Sequence, residues 1–251
     1  MVGLLFGLSA AGAGAPSDHY QLVAAPLDRP KGLAVLLPGA SGLEILGDRS
    51  HYPGIAQELR SMGYDTLLLD YKAAYAASTN VPKGTTAEKI AWVVQGAIVW
   101  VRGLGPRYGE LPVTLFARSL GGEGALRILN DTRLAESCGM QRGVLFYPSC
   151  QESERLAPVR PTLAMVGDLD TVTPVAELKR RLTSGAESLL RVEVLPQAFH
   201  GFDVRSLTRR RKIREYLIVG TAHTFQFNAE AAARADVLWR EFMSTPSGPH
   251  Q

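Results

Sequence analysis

The stretch Val113–Leu129, VTLFARSLGGEGALRIL, decides the fold. Val113–Phe116 is a short apolar run that reads as a buried strand and Leu120–Leu129 is helix-like, so the chain turns from one to the other with almost no linker. Ser119 stands at that corner. A turn this tight needs small residues two places before and two places after its centre, and Ala117 and Gly121 occupy those places, with Gly122 following. Such a corner lifts the serine hydroxyl clear of the strand end and aims the amide of Leu120 into the same space. Capping the helix that follows is the plainer role for Ser119.

Outward from this corner the same alternation repeats. Further strands are expected at Leu33–Leu37, Thr66–Leu69, Gly143–Phe146, Thr162–Val166 and Val192–Leu195, with Tyr20–Ala24 as an edge strand. Their unbroken apolar character is what burial on both faces produces. Helices are expected at Tyr52–Met62, Ala87–Leu104 and Pro174–Leu182, and a last one runs from an Asn228 cap to Met243. The pattern implies an α/β fold, a mostly parallel, doubly wound sheet with helices on both faces. Two long connections interrupt it. Tyr71–Thr86 has no periodicity and reads as a binding loop or lid, and Asp203–Phe227 holds a basic run and the apolar Tyr216–Val219.

A serine hydroxyl becomes a nucleophile only when a base takes its proton and a carboxylate orients that base. Of five histidines, His200 in VLPQAFHGFD lies just past a strand, at the sheet end where such folds present their chemistry. His223 is its rival; His19, His51 and His250 lie farther from such a position. The segment PTLAMVGDLDTVTP offers Asp168 and Asp170 in the expected order between nucleophile and base, and the residues alone favour neither. After the first apolar strand, LLPGASGLE sets Gly39 and Gly42 around Ala40 and Ser41, a loop able to turn a second backbone amide toward the serine. It lacks the spacing of a dinucleotide site or a P-loop.

The chain has 251 residues, 46% apolar and 20% charged, which fits a globular domain and excludes collagen-like or disordered classes. Its 27 basic against 24 acidic residues are too even for general attraction to nucleic acid. The basic runs Lys179–Arg181 and Arg209–Arg214 read as solvated faces, with a patch for an anionic lipid, polymer or substrate as the alternative. Residues 1–15 are apolar and small and end in Ala13-Gly14-Ala15, like the back half of a secretory signal peptide, although no Lys or Arg precedes Arg29. Export to the periplasm or exterior is therefore expected, with a flexible apolar terminus on a cytoplasmic protein as the alternative, and 16–251 reads as one domain. Cys138 and Cys150 are the only cysteines, a disulfide or two buried thiols.

The motifs LLPGASGLE, GYDTLLLDY, ARSLGGEGAL, VLFYPSC, GDLDTVTP, LPQAFHGFD and FNAEAAARADVLWREF, in this order, resemble the dienelactone hydrolase family of the α/β-hydrolase superfamily, in its exported serine-type branch. The resemblance spans Leu33–Met243. It implies an α/β-hydrolase fold with Ser119 as nucleophile, Asp170 rather than Asp168 as acid, His200 as base, and the amides of Leu120 and Ala40 as oxyanion donors. Gly39 stands where the founding enzymes carry a Glu that couples activation to substrate binding, so that control is absent. Exported relatives often carry a Cys at the position of Cys150 and another a few residues past the acid loop. The region Ala176–Leu178 has none, leaving Cys150 free or paired with Cys138. The implied reaction is hydrolysis of a small ester, lactone or thioester through an acyl-enzyme, without cofactor or metal; no nucleic acid or membrane insertion is expected, and the oligomeric state stays open with a monomer slightly preferred. A non-catalytic small-molecule-binding protein of the same fold and a peptidase-like amide hydrolase are the alternatives.

Overall fold

The computed structural model describes residues 16–214 and 222–245. The leader-like residues 1–15 and the apolar 216–219 lie outside the described residues.

Seven strands form one sheet: β1 (Tyr20–Val23), β2 (Leu33–Leu37), β3 (Asp65–Leu69), β4 (Val113–Arg118), β5 (Met140–Phe146), β6 (Thr162–Gly167) and β7 (Leu190–Leu195). Their order is β1-β3-β2-β4-β5-β6-β7. β1 pairs antiparallel at the edge and every other pairing is parallel. This is the topology of the α/β-hydrolase fold. From β2 the chain moves to one side to make β3 and then crosses to β4 on the other, so a crevice opens beyond the carboxyl ends of β2 and β4.

Both faces are covered because the strands alternate between two apolar layers. In β2, Leu33, Val35 and Leu37 join the core beneath α2 (Tyr71–Ala76), α3 (Thr86–Gly103), α4 (Gly121–Leu129), α5 (Thr132–Cys138) and α6 (Val175–Arg181). Ala34 and Leu36 face α1 (His51–Ser61) and α7 (Ala229–Ser244) on the other side. Helix starts follow side-chain caps written in the sequence. Thr85 and Glu88 close a capping box on α3, Asp131 accepts from the Leu134 amide at α5, and Asn228 accepts from Ala231 at α7. Among the described residues no helix is long and apolar enough to cross a membrane. Cys138 and Cys150 are both buried free thiols, and burial pushes that of Cys150 up to about 11.

Three segments differ from the sequence reading. Residues 71–86 are not a structureless loop, because Asp70 caps the short α2 by accepting from the Ala73 amide at 3.1 Å. α5 follows α4 after a brief break where the sequence shows no separate helix. The second long connection contains a hairpin of β8 (Arg211–Arg214) and β9 (Ala222–Phe225), so all of its basic run but Arg209 and Arg210 is stem rather than coil.

Candidate active site

Ser119 follows β4 directly and takes a left-handed backbone, φ 47°. The corner is clamped from the neighbouring strand and its loop: the Ser119 amide donates to the Phe146 carbonyl at 3.1 Å, and the Ser149 amide donates to the Ser119 carbonyl at 2.9 Å. Gly121 allows the close approach, since a Cβ there would lie 2.6 Å from the Pro38 carbonyl oxygen. Ser119 does not cap α4 with its side chain; the cap position is Leu120. Two other non-glycine residues take left-handed backbones just past strand ends, Tyr147 (φ 39°) after β5 and Gln197 (φ 53°) after β7.

The Ser119 hydroxyl lies 3.0 Å from His200 Nε2, and His200 Nδ1 lies 2.7 Å from Asp170 Oδ2. The carboxylate fixes the proton on Nδ1, which leaves Nε2 to accept the hydroxyl proton. Asp170 is itself oriented. Its Oδ1 accepts the amides of Val172 and Thr173 at 2.8 and 2.9 Å, and its Oδ2 accepts the Thr173 hydroxyl at 3.0 Å. Asp168, the other sequence candidate, instead accepts the Ala198 amide at 3.3 Å and so braces the loop before His200. The rival base His223 stands on β9, its Nδ1 3.0 Å from the Thr171 hydroxyl.

The amides of Leu120 and Ala40 have no hydrogen-bond partner among the described residues. The loop carrying Ala40 is held by residues that no local motif reveals. Gly39 donates its amide to the Tyr52 hydroxyl at 3.0 Å, and the Tyr71 hydroxyl donates toward the Pro38 carbonyl at 3.1 Å. Lys72 Nζ donates to the Ala40 carbonyl at 2.6 Å. Gly39 itself passes close to Ser119: a Cβ there would meet Ser119 Cβ at 3.2 Å. Burial pushes the Tyr52 hydroxyl up to about 12, so it stays protonated.

A second missed group lies behind the serine. Strand alternation turns Arg118 toward the α1 and α7 side, where its guanidinium stacks 4.1 Å from the Phe146 ring centre and pairs with Asp203 at 3.0 Å. Tyr147 donates its hydroxyl to the other Asp203 oxygen at 2.7 Å, and its ring packs 4.4 Å from that of His200. His51 Nε2 lies 3.6 Å from Asp203. Burial works to raise the Asp203 carboxyl, but Arg118, His51 and the hydrogen bonds of Tyr147 and Arg118 hold it below the usual carboxylate range. Burial lowers His51 to about 4, leaving it neutral at pH 7. The ion pair thus ties the residue before Ser119 to a residue three places after His200.

A cavity of about 150 Å³ opens over Ser119 and His200. Its walls are mostly apolar, from Ile45, Leu46, Val204, Leu207, Ile213 and Phe225. Among the described residues no group of three or more His, Cys, Asp or Glu side chains is arranged to hold a metal ion.

No family model matches the chain, and no curated protein sequence does. Solved structures do. Esterase 2 of Thermogutta terrifontis in its native form aligns with a TM-score of 0.60 at 15% identity, over 92% of this chain and 90% of that one. A protein of Klebsiella pneumoniae subsp. pneumoniae provisionally described as a dienelactone hydrolase gives 0.60 at 15% identity, over 90% of each chain. An alpha-beta serine hydrolase homologue of Coxiella burnetii gives 0.55 at 14%, over 74% of this chain and 85% of that one. What the chain shares with these proteins, at such identities, is the fold.

Proposed function

We propose that the protein is a serine hydrolase that cleaves a small ester, lactone or thioester through an acyl-enzyme. The observation that carries this reading is the unbroken line from the Ser119 hydroxyl through His200 to Asp170, at 3.0 and 2.7 Å. His200 takes the Ser119 proton as the hydroxyl oxygen attacks the carbonyl carbon. The amides of Leu120 and Ala40 hold the tetrahedral oxyanion, His200 passes the proton to the leaving group, and water activated by the same imidazole releases the acyl group.

The size of the cavity favours a short acyl or benzene-sized arm, because an apolar cavity of about 150 Å³ holds one benzene. Esterase 2 of Thermogutta terrifontis is phosphorylated by paraoxon and has been solved with butyrate and with propionate bound. Those properties of a fold relative agree with a serine nucleophile and short acyl groups here. The resemblance of LPQAFHGFD, GDLDTVTP and ARSLGGEGAL to the dienelactone hydrolases, and of residues 1–15 to a leader for export, belong to the same proposal.

The test is labelling by a fluorophosphonate with mapping of the modified peptide, beside hydrolysis of p-nitrophenyl butyrate. Ser119 is expected to carry the label, and Ser119→Ala to lose about 10⁴-fold or more in kcat. An unlabelled wild-type protein that turns over no ester would leave the binding-protein alternative standing.

A further inference from the structure

The β8–β9 hairpin forms one wall of the catalytic cavity and carries the basic run that the reaction does not use. In an antiparallel pair, residues directly opposite project to the same face, and so do residues two apart on one strand. Arg211 is opposite Phe225 and Ile213 is opposite His223. Phe225 packs edge-on to the His200 ring at 5.1 Å, His223 meets the Thr171 hydroxyl at 3.0 Å, and Ile213 lines the cavity. Arg211 therefore shares the hairpin face that looks onto the catalytic histidine.

Past Ile213 and Leu46, which border both spaces, the cavity gives onto a second cleft lined by Arg209, Arg210, Arg211 and Lys212. Arg210 is set in place, its guanidinium 5.2 Å from the Phe199 ring centre and its Nε donating to the Gln226 side chain at 3.3 Å. Among the described residues none of these four cations forms an ion pair. Four basic residues line this cleft and no carboxylate does among the described residues; such a lining exceeds what a single carboxylate needs and suits the several oxygens of a phosphoryl or sulfate group.

We propose that this cleft is an anion subsite, and that the ester cleaved at Ser119 carries a phosphoryl or sulfate group on the arm that passes the Leu46–Ile213 edge. The proposal rests on the serine hydrolase reading. The apolar arm fills the cavity while the anion meets Arg211 and its neighbours, which orients the carbonyl between Ser119 and the oxyanion amides.

The experiment compares phenyl butyrate with the butyrate ester of 4-hydroxyphenyl phosphate, followed by acid release. At low salt the phosphorylated ester is expected to have a kcat/KM roughly tenfold or more above the uncharged one, and the ratio to approach one in 1 M salt. It should also approach one in the Arg211→Gln, Lys212→Gln double variant; because the ratio is taken within each protein, general damage to the enzyme cancels. Sedimentation with phosphatidylglycerol vesicles separates the two sources of such a group. Binding that the double variant loses assigns a lipid headgroup, and no binding beside an intact ratio assigns a soluble ester. Equal kcat/KM for the two esters, or a preference that persists both in the double variant and when Arg209 and Arg210 are changed to Gln as well, overturns the subsite and leaves the hydrolase reading intact. Failure of both esters, with Ser119 unlabelled, overturns the two together.

Discussion

Asp168 and Asp170 sit two places apart with the same chemistry, yet only one carboxylate reaches the imidazole. Asp170→Asn should keep the geometry while spoiling the tautomer of His200, with a loss in kcat of about 10⁴-fold. Asp168→Asn, at a side chain whose one hydrogen bond among the described residues is from the Ala198 amide, should stay within a few-fold of the wild type, and steady-state kinetics on one ester checks both. His51 gives a prediction of opposite kind, in stability rather than rate. Its pKa falls from 6.5 to about 4 on folding because burial disfavours the charged ring. As the pH drops, the unfolded chain takes up the proton first. Stability is therefore complete above pH 6.5 and declines as pH falls from 6.5 toward 4, by on the order of 3 kcal/mol. Denaturant titrations at a series of pH values should record this slope and find it much reduced in His51→Gln.

Among the elements, α3 and α4 approach each other so closely that a Cβ on Gly124 would stand 2.2 Å from Ile90 Cγ2 and 2.5 Å from Ile90 Cβ. Alanine is worth about 1 kcal/mol over glycine inside a helix, but here overpacking against a branched side chain costs about 1–3 kcal/mol. Gly124→Ala should therefore lower stability in a thermal melt, although the same change on an open helix raises it. The parallel strands were legible as sequence because burial on both faces writes them as apolar runs, and α1, α3 and α7 because each has room for several turns of periodicity. α2 and α5 were not, since 6 and 7 residues hold too little of the period and neither opens on a proline as the equally short α6 does. The hairpin was hidden as well, its first strand reading RKIR with charge at three of four positions.

For the molecule as a whole, the seven-stranded sheet and its switch of direction between β2 and β4 bring together groups from residues 40 to 200, and this explains which parts of the site could be read in advance. Ser119 and His200 each carry a local signature, a tight strand-to-helix corner and a Gly behind a strand-end His. Tyr52, Tyr71, Tyr147, Arg118 and Asp203 carry none, because their roles arise from partners distant along the chain. The choice of Asp170 needed the family resemblance or the fold itself, as the turn after β6 decides which oxygen faces the imidazole. One feature of that sheet sets activity against endurance. The left-handed backbone at Ser119 suits glycine and costs an L-residue roughly 1–2 kcal/mol. Two dead enzymes should consequently differ in heat tolerance: Ser119→Gly should outlast Ser119→Ala by about 1 kcal/mol, or a few degrees in Tm, against the ordinary ranking of those residues. Selection for stability alone would place glycine at that bend, and the role proposed for Ser119 is what a side chain there would serve.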